Sequence, residues 1–156
     1  MGNEISPTRF LAVTPVIAAT PYAVGNAIGP MLQFPLLEEM HIRGGVLLNV
    51  VATAEFIIAQ PEIDLVLFDS EFTPSNDHAA FNPSKADIQA RRLGTITIEA
   101  SHWKEFSVNQ MATVPTSLAI ALRNADGIVY GQAVARTIFT PSSVSDMTFG
   151  LGMLRD

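Results

Sequence analysis

Proline and glycine set the terms for this chain. Ten of each are spread through 156 residues, and they cut the apolar sequence into runs of about four to nine residues. Proline removes a backbone donor and clashes with the preceding turn, so long helices are scarcely possible. Short apolar runs between turn residues suit strands stacked in a sandwich or barrel. The expected fold is all-β: a jelly-roll-like β-sandwich of about eight strands, with one short helix near residues 85–92.

Pro7, Pro15, Pro21, Pro30 and Pro35 fall among Val, Ile, Ala and Thr. A stretch so depleted in ladder donors suits edge segments or an arm lying on another surface. Residues 1–21 are therefore expected to form an extended N-terminal arm, and residues 22–156 a single β-sandwich domain. The side chains available for gripping a neighbour along residues 5–35 are Ile5, Phe10, Leu11, Val13, Val16, Ile17 and Tyr22. On this reading, removal of Met1 to Thr20 leaves a folded domain without its grip.

Val46 to Thr53 is β-branched or apolar at every position but Asn49, which predicts a strand covered on both faces. Glu62 to Asp69 alternates, with Ile63, Leu65 and Leu67 on one face and Asp64, Val66 and Phe68 on the other. A turn-rich loop runs from Ser70 to Pro83. Ser84 then reads as an N-cap, with Asp87 at the third helical position and Gly94 placed to stop the helix. Further strands are predicted at Thr95 to Glu99, Thr116 to Arg123, Ile128 to Arg136 and Met147 to Leu154. Asn124-Ala125-Asp126-Gly127 predicts a hairpin between Thr116–Arg123 and Ile128–Arg136.

Charged residues make up only 15% of the chain against 48% hydrophobic, and a small β domain cannot bury so much apolar surface by itself. The surplus implies permanent assembly with other subunits. The net charge of −6 opposes binding to a phosphate backbone, and Arg91-Arg92 is the only adjacent basic pair. No nucleic-acid or membrane partner is expected: no run of about 18 apolar residues occurs, and Met1 to Arg9 lacks a signal-peptide pattern, so synthesis in a cytoplasm is inferred. With no cysteine, disulfides and thiolate chemistry are excluded.

No catalytic or cofactor pattern emerges. His41, His78 and His102 are isolated, no Gly-x-Ser-x-Gly elbow occurs, and the glycines spell no phosphate loop. Asp69, Glu71, Asp77 and Asp87 cluster around the long loop, but their spacing fits no calcium loop; capping of backbone amides is the simpler use. Trp103, with His102 and Phe106, is either a stacking platform for a sugar or a core anchor. The expectation is no catalytic residue, metal or cofactor, and a chain that is not an enzyme.

Four segments carry a resemblance. They are Tyr22-Ala23-Val24-Gly25-Asn26-Ala27-Ile28-Gly29; Leu67-Phe68-Asp69; Asp77-His78-Ala79-Ala80-Phe81 with Ser84-Lys85-Ala86-Asp87; and Ser145-Asp146-Met147-Thr148 leading to Leu151-Gly152-Met153-Leu154-Arg155-Asp156. In type and order these resemble a family of small virion proteins of tailed bacteriophages, though Asn26 stands where an acidic residue is usual and His78 where Asn is usual. The motif residues are read as structural: Gly25 and Gly29 for tight turns, Asp69 and Asp77 for holding loop backbone, Phe81 as a core plug, and Asp87 and Asp146 as further motif positions. The resemblance implies a capsid decoration, or cement, protein on the exterior of the virion. Its partners would be the major capsid protein and itself, as a homotrimer. A tail or neck component, or a carbohydrate-binding receptor-contact module, are the alternatives.

Overall fold

The computed structural model describes residues 8–36, 44–55, 60–121 and 126–155. The elements run β1 (Thr8–Val13), β2 (Ala27–Pro35), β3 (Gly44–Glu55), β4 (Ile63–Phe68), α1 (Lys85–Arg91), β5 (Arg92–Ile98), β6 (Trp103–Phe106), β7 (Asn109–Ala121), β8 (Ile128–Ala135) and β9 (Thr148–Arg155). A single 3₁₀ turn, Ala100–His102, precedes β6. The strands form two sheets, β1-β9-β3-β7-β6 and β2-β8-β4-β5. Every strand pairing is antiparallel.

With β6 set aside, the order β1-β9-β3-β7 opposite β2-β8-β4-β5 is that of a jelly roll. The first strand lies beside the last, and the chain crosses between sheets at every connection except β4–β5 and β6–β7. The main core fills the space between them, with Phe34, Leu47, Leu65, Ile98, Phe149 and Leu151 among its fully buried side chains. An all-β sandwich is thus the fold, and the strand order carries the jelly roll.

The N-terminal segment departs from the arm expected of it. Thr8 to Val13 is β1, paired residue by residue with β9 from Thr8 opposite Leu154 to Val13 opposite Phe149. Leu11 and Val13 pack against the core, and Ile17 and Tyr22 are buried within it at 2% and 0% exposure. The physical reason is that β9 presents an open ladder edge, and pairing with this chain's own segment satisfies it without a neighbour. Of the gripping residues proposed from sequence, only Phe10 and Val16 stand exposed, at 57% and 74%; Ile5 lies outside the described residues.

Three local expectations are also corrected. β7 and β8 do not form a hairpin: β7 lies between β3 and β6, whereas β8 lies between β2 and β4 in the other sheet. Gly127 does take a left-handed φ of 63°, but its carbonyl accepts from Leu36 N–H at the end of β2. Asn124 and Ala125 of the predicted turn lie outside the described residues. β3 is buried on one face only, through Leu47, Val50, Ala52 and Ala54. Covered on both faces are β4, whose six residues are all buried, and β8, buried from Val129 to Ala135. Gly94 does not stop the helix, because Arg92 already pairs with Phe68 and Gly94 lies within β5, opposite Leu67.

Candidate functional site

The segments around residues 22–29 and 77–81 are laced together by their own backbones. Ala27 N–H donates to Ala79 O (2.8 Å), His78 N–H to Ala27 O (3.0 Å) and Phe81 N–H to Gly25 O (2.9 Å). Gly25 at φ 88° makes the turn that permits this. Gly29, at φ 69°, could carry no Cβ without crowding Ile17, whose Cγ2 would lie 3.1 Å away.

Side chains complete the fastening. Asp77 Oδ1 accepts from the Tyr22 hydroxyl (2.6 Å) and from Gly29 N–H (2.7 Å), and its Oδ2 lies 3.2 Å from His78 Nδ1. His78 stacks on the Tyr22 ring at 3.9 Å, and its Nε2 reaches Thr20 Oγ1 at 3.0 Å. His78 holds φ 64°, a left-handed conformation in which Asn is more at ease. Burial pushes the Asp77 carboxyl up, but the hydrogen bonds from Tyr22, Gly29 and His78 outweigh it and hold it below the usual range. Burial and the Asp77 hydrogen bond both raise the Tyr22 hydroxyl well above its ordinary value. Hydroxyl, imidazole and carboxylate are in the order of an activated nucleophile. Thr20 stands exposed on the surface, however, and the visible work of these bonds is to pin a loop.

That loop roofs one sheet. Phe72 stacks on Phe68 at 3.9 Å, and with Val66, Tyr130 and Val134 it makes a second apolar cluster on the outer face of the four-stranded sheet. Phe81 packs against this cluster and is half-buried, so it plugs the roof rather than the main core. Asp87 Oδ2 accepts from Thr73 N–H, Ser84 Oγ caps Asp87 N–H, and Arg91 O accepts from Asp69 N–H. Gln132, fully buried, bonds Ser75 N–H, Ser75 O and Gly29 O. Asp146 accepts from Glu55 N–H (2.6 Å) and Ser142 N–H (2.7 Å), tying the β8–β9 loop to the end of β3. Asp77, Asp87 and Asp146 thus serve backbone amides; among the described residues no group of three His, Asp or Glu could hold a metal ion.

Among the described residues, the five-stranded sheet has no such roof. Alternation turns Phe10 and Ala12 of β1, Gly150 and Leu154 of β9, Val51 of β3, and Met111, Thr113 and Pro115 of β7 to its outer face. Leu48, Met111 and Leu154 are exposed there. The two glycines are covered locally: a Cβ at Gly150 would collide with the Phe10 ring, and one at Gly152 with the Asn49 side chain. Of the charged residues on its strands, Arg9, Glu55, Lys104, Glu105 and Arg155, alternation turns Glu55 and Lys104 to this face. The four-stranded sheet is no richer in charge, with only Asp64 and Arg92 on its strands.

Trp103 is a core anchor, 2% exposed, with its indole N–H donating to Pro61 O at 2.8 Å. It offers no platform to a sugar, which removes the basis of the carbohydrate alternative. His102 caps the 3₁₀ turn, its Nδ1 accepting from Glu99 N–H, and His41 lies outside the described residues. No described helix is long and apolar enough to cross a membrane. No family model, curated protein or solved structure matches this chain.

Proposed function

We propose that this chain is a structural assembly protein, a component of a tailed-phage virion that decorates and stabilises the major capsid lattice. The observation that carries the assembly reading is the bare, nearly uncharged outer face of the five-stranded sheet. Among the described residues the chain roofs its other sheet with its own loop and leaves this one bare. Five strands at about 4.8 Å spacing and about eight residues of length give a footprint of roughly 600 Å², near the standard interface of about 800 Å² per partner.

The occupant best suited to that face is a second copy of the chain. At a net charge of −6, two copies repel each other through most of their surface, and a face without charge escapes that penalty. Three copies is the number the phage resemblance favours, and a trimer would present three lattice-binding surfaces, adding avidity without any single large contact. Cementing then follows from mass action: a protein that binds the assembled shell but not its separated subunits shifts disruption to higher temperature. Particles heated with and without the protein test this. A raised disruption temperature is expected, and an unchanged one contradicts the cementing role. A tail or neck position is the second reading, distinguished by where labelled protein binds on intact particles.

A further inference from the structure

Among the described residues, one buried side-chain polar atom has no hydrogen-bond partner: the Oδ1 of Asn49. It belongs to β3, the middle strand of the five-stranded sheet, where the register shifts between Leu47 and Asn49 against both neighbouring strands. The residues opposite are Gly152 on β9 and Pro115 on β7, and neither has a side-chain donor to offer. An inner strand tolerates proline only at a bulge, and a bulge re-aims the side chain it carries. Here it lays the Asn49 carboxamide on the outer face against Gly152, where a Cβ on the glycine would collide with Oδ1. The residue as a whole is part-exposed, so the amide lies at the surface with its oxygen turned inward. A buried acceptor left unpaired is a net cost to the fold, and this one stands at the centre of the bare face.

We propose that Asn49 is the polar lock of self-association through this face: on docking, its carboxamide turns outward and pairs with the Asn49 carboxamide of a second copy. The inference rests on the assembly reading above and names the contact at its centre. Rotation about the outer bond of the side chain exchanges oxygen for nitrogen in nearly the same volume, because that torsion is broad and two-fold. A carboxamide holds two donors and an acceptor, so it is its own complement. Position supplies the rest: copies related by a rotation axis through the middle strand bring a residue near the axis against its own equivalent. Two amides pair in a dimer, and three close a ring in a trimer. Leu48 and Pro115, both exposed beside Asn49, would then keep water from that contact. One Asn in an apolar contact costs stability and fixes the number and register of the partners, as it does in coiled coils.

The chain has no cysteine, so Asn49→Cys places a single thiol at this point. Mild oxidation of the full-length variant should link copies in pairs on a non-reducing gel, whereas Val144→Cys, exposed on the β8–β9 loop, should give none. Sedimentation equilibrium on Asn49→Ala should show association weakened about tenfold, with the melting temperature at dissociating dilution unchanged or raised. Absence of linked pairs, or an unchanged dissociation constant in Asn49→Ala, overturns the lock; if the wild type still assembles, the assembly reading stands. A lower melting temperature of dilute Asn49→Ala gives the amide a structural role and equally overturns the lock. A wild type that is monomeric at every concentration overturns both.

Discussion

Asp77 is the residue on which the pinned loop depends most, and its ionisation gives a direct test. Its folded carboxyl titrates below the unfolded value of about 3.9, so it contributes stability above that value. The contribution fades as pH falls below about 4 and is gone once pH passes below the folded value. Thermal melts from pH 6 to pH 2 should therefore fall more steeply for the wild type than for Asp77→Asn; parallel curves would show that the carboxylate is not engaged as described. Tyr22→Phe removes one donor to Asp77 and should cost about 1–2 kcal/mol by urea denaturation. Little of this was legible beforehand. Tyr22 and Asp77 are 55 positions apart, and no local period links them. What could be read was the chemistry of single positions: Ser84 as a cap, Asp87 on backbone amides, and glycines where φ turns positive at 25 and 29.

Strands were legible where alternation or continuous burial marks them, and obscure where pairing depends on distant segments. β4 was plain because Ile63, Leu65 and Leu67 face the core while Val66 and Phe68 face the roof. β6 was missed because it turns into β7 through Ser107 and Val108, with neither Gly nor Asn to announce the turn. The Asn124–Gly127 signal reports that the chain reverses but not into which sheet it returns. β1 was read as an arm because Pro7 and Pro15 bracket it, and its partner β9 comes 136 or more residues later. The deletion expectation therefore changes: removing Met1 to Thr20 strips an edge strand and the buried Ile17, and should lower the melting temperature markedly rather than leave a stable domain. An unchanged melt would restore the arm. A second test concerns Gly150, where Ala would collide with Phe10 and should cost about 1–3 kcal/mol, less in a Phe10→Ala background.

At the scale of the whole molecule, the two sheets are treated unequally. One is sealed by residues 69–84 and α1, and the other leaves a broad face with almost no charge. The low charged fraction hinted at covered surface, but only the strand order shows where that surface lies. Sedimentation velocity on the purified chain, beside Met111→Lys and Thr113→Glu variants, tests the central claim most directly. Both positions are exposed on a strand surface, so their melts should stay within about 0.5 kcal/mol of wild type. The account predicts a wild-type oligomer and monomeric variants of equal stability; a wild type that stays monomeric, or variants that assemble as it does, would contradict it.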